Sequence, residues 1–152
     1  MNINPGSIRQ RANATITDSL LLGIVIIPIT LFLFYNAKQY LIPFQIIAII
    51  AVFLYEVIFV LKNNGQTIGK KYARVKVISL KGELTLKQLI VRFFVTQIFL
   101  SVASFIPSSI SFPFKDHLSF IVFVFFVLFI VFNKQRRGIH DLAAGTIVVK
   151  SE

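Results

Sequence analysis

The sequence predicts an all-α membrane protein. Four transmembrane helices carry a small layer of loop and tail on one side, in which two short β-strands can form. Three observations lead there. Hydrophobic residues make up 56% of the 152, and the mean hydropathy is +0.80. A soluble domain of this length has too little interior to hide that much apolar surface. The apolar residues gather into four long runs, and the basic residues lie between the runs, with a net charge of +10.

The elements follow in order along a single domain, 1–152. Residues 1–8 are a polar lead with Pro5 and Gly6. The first helix spans roughly 10–35, and the stretch 19–35 carries no charge. Pro28 removes one backbone donor in its outer half and is a candidate kink. The run is too long for a signal peptide and lacks a small-residue cleavage site, so it is expected to stay attached. A turn at 36–39 leads to a second helix at roughly 40–61, where Pro43 falls in the tolerant first turn. The polar loop 62–84 follows. Its stretch 74–79 alternates polar and apolar residues, which marks a strand, and Lys81-Gly82 marks a turn. Thr85-x-x-Gln88 is a capping box that opens a third helix at roughly 85–106. The stretch 107–113, with a proline at each end, breaks it. The fourth helix, roughly 117–133, is almost uniformly apolar and expected to face lipid. In the tail, 134–152, the β-prone stretch 146–149 is expected to pair with 74–79.

The basic residues orient the chain. Arg9 and Arg11, then Lys62, Lys70, Lys71, Arg74, Lys76, Lys81, Lys87 and Arg92, then Lys134, Arg136, Arg137 and Lys150 fall on one side of a four-span arrangement. Only Lys38 and Lys115 fall on the other. The positive-inside rule then places both termini in the cytoplasm of a multi-pass protein of the cell (inner or plasma) membrane. This distribution also argues against a nucleic-acid partner. The expected partner of the basic loop is the bilayer, through its anionic headgroups. The absence of cysteine excludes disulfides and thiolate metal sites.

Three charges fall well inside the helices, beyond their first or last turn. Helix rise places Asp18, Glu56 and Arg92 at a similar depth, about 8–10 Å inward. A lone charge near a helix centre costs about 2.5–3.5 kcal/mol on insertion scales, so such groups pair or face water. Arg11, Ala14, Thr15 and Asp18 share one helix face, and Thr85, Gln88, Arg92 and Thr96 form a second polar stripe. A polar cluster of Arg11, Asp18, Glu56 and Arg92 is therefore expected. One reading makes it an ion or proton site with Asp18 or Glu56 as the titrating group. The other makes it an ion-pair network that fixes helix register.

Other motifs carry less. The stretch 65–71 is one residue short of a phosphate loop, has Lys71 in place of Ser or Thr, and follows a membrane helix rather than a strand. His140-Asp141 has no serine or cysteine nucleophile in supporting context. His117, beside Asp116, is expected at the outer surface, and two separated histidines do not make a metal site. No enzyme activity, cofactor or metal is expected.

Three segments together resemble the RDD family of bacterial membrane proteins. They are Arg11-x-x-Ala14-x-x-x-Asp18; then Gly65-Gln-Thr-Ile-Gly-Lys70 leading into Arg74-Val-Lys-Val, Gly82 and Arg92; then Arg136-Arg-Gly-Ile-His-Asp141-Leu-Ala-Ala-Gly-Thr146-Ile-Val-Val. The resemblance implies that Arg11 is the family arginine and that Asp18 and Asp141 are its two aspartates. Gly65, Thr67, Gly69, Lys70 and Arg137 are its signature positions in the loop and tail. It also implies a multi-pass membrane protein, with transport, including sodium–proton exchange, suggested for some members. Thr17 stands where an aliphatic residue is usual, and Arg74 where glycine is frequent. From the residues alone, Asp141 is most simply a surface partner of Arg136 and Arg137. A tail that folds back would bring it to Lys70 or Arg74. Two functions follow as expectations: transport of a small cation or protons through the Asp/Glu/Arg cluster, or a non-transporting accessory or regulatory role toward a membrane partner. Four short helices make a thin pathway for a monomer, so transport suits a homo-oligomer, whereas the accessory role calls for a membrane protein partner.

Overall fold

The computed structural model describes residues 4–101 and 115–151. Helix α1 spans Ile8–Asn36. It starts before the predicted residue 10 because Ser7 and Gln10 close a capping box. Ser7 Oγ accepts from Gln10 N at 3.2 Å, and Gln10 Oε1 accepts from Ser7 N at 3.0 Å. Pro28 lies inside the helix without ending it.

Helix α2 runs without a break over Lys38–Lys62. It opens as a 3-10 turn at Lys38–Tyr40, is α-helical over Leu41–Phe53, widens to π-helix over Leu54–Phe59 and closes with an α turn, Val60–Lys62. Both α1 and α2 are long and apolar enough to cross a membrane. Their apolar side chains point outward, with Ile24 at 70% and Ile42 at 71% exposure, which suits lipid and not water.

The predicted loop 62–84 contains more structure than its composition indicates. A one-turn helix, α3, occupies Ile68–Tyr72, and strand β1 occupies Val75–Ser79. Thr85 and Gln88 form the predicted capping box, with Thr85 N donating to Gln88 Oε1 at 3.1 Å. Helix α4 then spans Leu86–Ser101. The predicted end of this helix at 106 and the break at 107–113 lie outside the described residues. Helix α5 covers Lys115–Phe132. The tail holds a second short helix, α6, at Ile139–Ala144 and strand β2 at Thr146–Lys150.

β1 and β2 pair antiparallel in the predicted manner, with Val75 opposite Lys150, Val77 opposite Val148 and Ser79 opposite Thr146. The edges of this two-stranded sheet are occupied. On the β2 side, Gly6 N donates to Val148 O at 3.1 Å, and Lys150 N donates to Asn4 O at 3.2 Å. On the β1 side, Val77 N donates to Gly65 O at 2.8 Å. Gly65 adopts φ +82°, and a Cβ there would lie 2.0 Å from Val77 O, so only glycine fits.

Two apolar clusters hold the layer to the helices. Val75, Val77 and Val148 pack on Ala14 of α1. Val57 and Val60 of α2 pack on Leu89 and Phe93 of α4, with the Phe53 and Phe93 rings edge to face at 5.2 Å. The first turns of α1 are therefore covered by the sheet.

Candidate functional site

Asp18 sits on the α1 face that meets α3, and it is 8% exposed. Its Oδ1 accepts from Tyr55 Oη at 2.6 Å and from Gly69 N at 2.8 Å. Its Oδ2 accepts from Thr67 Oγ1 at 2.5 Å. Thr67 is the N-cap of α3 and accepts from Lys70 N at 3.2 Å. Ile68 N donates to Tyr55 Oη at 3.1 Å. The first backbone donors of α3 are thus consumed by side chains of α1, α2 and its own cap. The approach is possible because residue 69 is glycine: a Cβ there would lie 2.3 Å from Ala14 O and 2.8 Å from Asp18 Cγ. The π-helical stretch of α2 carries Tyr55, whose ring stacks on Phe59 with 5.3 Å between centroids.

Asp141 lies at the third position of α6 and is fully buried. Its Oδ2 accepts from Arg11 Nη1 at 3.1 Å and from Gly138 N at 3.1 Å. Its Oδ1 pairs with Arg92 Nη1 and accepts from Thr146 Oγ1 at 3.4 Å. Arg11 also donates to Val148 O at 3.0 Å. Arg137 donates to the backbone oxygens of Thr146 at 3.0 Å and Asp141 at 3.1 Å. One carboxylate therefore joins α1, α4 and the tail.

The charges around Asp141 set the protonation of the tail. Burial alone would raise its carboxyl, but Arg92 and Arg11 outweigh burial and hold it below the ordinary carboxylate value. His140 is pushed down to about 3, first by burial and then by Arg92. Lys70 is also lowered, by burial first and then by Arg92, with Glu56, Asp18 and Asp141 opposing. For Asp141, stability is present above its unfolded value and is lost as pH falls through the lower folded one. For His140, the unfolded chain takes up a proton near its ordinary 6.5, whereas the folded tail resists protonation down to about 3. Stability should therefore fall as pH drops through that window, by on the order of 5 kcal/mol at most from His140. Unfolding in detergent at pH 7 and pH 4 checks this, and His140→Gln should flatten the dependence between those values.

The predicted cluster of Arg11, Asp18, Glu56 and Arg92 resolves into two sites. Arg11 and Arg92 meet Asp141, and neither is an ion-pair partner of Asp18. Asp18 is held by Tyr55, Thr67 and Gly69, and Glu56 acts through space on the Lys70 ammonium. The two polar stripes do not satisfy each other: Asp141 stands between Arg11 and Arg92, and Gln88 Nε2 donates to Ser79 Oγ at 2.9 Å. The tail does fold back, but its aspartate reaches neither Lys70 nor Arg74 as an ion-pair partner, and it is not a surface group. The reason is the sheet register, which turns α6 toward α1 and α4. Of the signature positions, Gly65 supports β1, Thr67, Gly69 and Lys70 belong to the Asp18 site, and Arg137 braces the backbone beside Asp141.

Sequence reasoning missed Tyr55, Gly138 and the hydroxyl role of Thr146. Tyr55 had one signal, a hydroxyl beside Glu56 in an otherwise apolar run. Among the described residues, no group of three His, Asp or Glu side chains could hold a metal ion. A cleft on α5, lined by Phe125, Leu128, Phe129, Phe132 and Asn133, is apolar and includes neither aspartate.

Comparison with known proteins adds three findings. A family model described as RDD family matches residues 5–145. An uncharacterized protein of Rickettsia prowazekii (strain Madrid E) is 30% identical over 90 residues, which is 58% of this chain and 38% of that protein. The chain thus spans well under half of that relative's length. No solved structure matches.

Proposed function

The chain belongs to the RDD family, and from that premise we propose a four-span membrane protein with a non-transporting, accessory role. Its loop and tail layer forms a rigid basic platform, fastened to the helix ends and offered to a membrane partner. The observation that carries this reading is the use of both aspartates as internal fasteners. Asp18 accepts from three donors and Asp141 from four groups. A carboxylate has about four lone-pair sites, so a cation could enter at Asp141 only by displacing a donor that holds the layer in place, and at Asp18 it would meet a single unused lone pair beside three donors.

A second reading keeps transport of a small cation or protons through Asp18. The π-helical stretch Leu54–Phe59 favours it, because such irregularities recur at functional sites, and this one carries both Tyr55 and Glu56. Proteoliposome flux separates the two. Sodium, potassium and proton fluxes are expected to equal those of protein-free vesicles. A flux that Asp18→Asn abolishes would overturn the accessory role.

The four-span arrangement with both ends in the cytoplasm rests on the segregation of Lys and Arg. Because the chain has no cysteine, single-cysteine variants report on it cleanly. Lys38→Cys should react with an impermeant maleimide on intact cells, and Lys81→Cys and Lys134→Cys should react only after permeabilisation. Labelling of all three from outside would refute the arrangement.

A further inference from the structure

The exposed edge of α3 has the chemistry of a membrane-interface anchor. Asp18 is the last charged residue before the uncharged stretch 19–35. Gly69 N binds it directly, so α3 is held at the level where α1 enters its apolar run. Ile68 is 49% exposed and Tyr72 is 77% exposed. They are four residues apart and share one side of the helix. Beside them Lys71 and Arg74 are exposed. The stretch 57–82 contains six Lys and Arg and no acid, and among the described residues neither Lys71 nor Arg74 has an ion-pair partner.

An aliphatic side chain, a tyrosine with its polar tip and flanking cations make the combination that settles between acyl chains and headgroups. A five-residue helix cannot form alone for this purpose. Here the Thr67 cap and the Asp18 carboxylate preform it, so binding need not supply the ordering. The outward apolar surface is also continuous in kind with that of α1, where Leu20 and Leu21 follow Asp18 and are exposed.

We propose that α3 lies in the membrane interface, with Ile68 and Tyr72 inserted at the headgroup–acyl boundary and Lys71 and Arg74 against anionic lipid headgroups. The proposal depends on the chain being membrane-embedded and not on either functional reading above. It makes the loop layer a lipid-contacting element and not only a cover over the helix ends.

The full chain contains no tryptophan, so Tyr72→Trp is a single reporter, with Lys81→Trp as a control in the exposed turn. Each is reconstituted in vesicles of phosphatidylcholine alone or mixed with phosphatidylglycerol. The Tyr72→Trp reporter is expected to emit at shorter wavelength than the Lys81→Trp control. Lipids brominated near the headgroup should quench it more than lipids brominated near the chain ends. Phosphatidylglycerol should deepen the quenching, and Lys71→Gln with Arg74→Gln should remove that increment. Water-like emission without quenching in both vesicles would overturn the proposal. So would a blue shift without lipid quenching that grows with protein density, since the occupant would then be a second copy. Quenching indifferent to phosphatidylglycerol and to the two substitutions would overturn the assignment to anionic headgroups.

Discussion

Replacing Asp141 with alanine is expected to release the tail from the helices at a cost of about 3–5 kcal/mol, the range for breaking a buried ion pair from one side. The loss is large because the carboxylate is shared. Without it, Arg11 and Arg92 face each other across the fold with no counter-charge, and the Gly138 amide and Thr146 hydroxyl lose their acceptor. Unfolding of the purified protein in detergent should show the shift, and limited proteolysis should show early cleavage within 139–150. Asp141→Asn keeps the shape and removes the charge, so it should retain only a minor part of the stability. Converting the group to Asp141→Leu with Arg11→Met and Arg92→Met should recover part of the loss, since an apolar replacement of a whole buried ion group is often neutral or favourable. Wild-type stability in Asp141→Ala would mean that the sheet and its packing hold the tail without the ion pairs.

Gly69→Ala is the second substitution with a large expected effect. The added methyl would collide with Ala14 O and the Asp18 carboxylate. Both are fixed groups, one of them helix backbone, so α3 must move away from α1. Overpacking of this kind costs about 1–3 kcal/mol. The movement also breaks charge-assisted hydrogen bonds to Asp18, worth about 1.5–3 kcal/mol each. The two contributions are linked, which gives a sharper check than the single variant. Asp18→Asn and Gly69→Ala damage the same contact, so their combined effect should fall well short of the sum. Additive losses in a double-mutant cycle would separate Gly69 from Asp18 and remove the fastening role assigned to the pair.

Much of the layer's local structure was legible in the residues. The Thr85–Gln88 capping box is a local pattern, and it forms. The alternation at 74–79 and the β-prone 146–149 become β1 and β2 in the expected pairing. Helices α1 and α2 fall within two residues of the predicted bounds. Helix α3 was not legible, because one turn has no periodicity to read. It exists because Asp18, Tyr55 and its own cap Thr67 take up its free donors, and the first two lie on other helices. Helix α6 was hidden for the same reason: six residues ending at Gly145 with φ +66° resemble a loop until Asp141 is seen capping them.

The residues alone determined that Arg11 and Asp18 share a face, that Arg92 lies on a polar stripe and that the tail can return to the loop. Helical spacing fixes the angle and height of a side chain on its own axis. It does not say which neighbour that face meets. The tertiary structure decided this by bringing Asp141 to Arg92, 49 positions away, and to Arg11, 130 positions away. Charges at equal depth would have paired Asp18 with Arg92. The sheet register instead inserts the tail aspartate between the two arginines and leaves Asp18 to cap α3, because each buried charge settles with the donors that packing brings within reach.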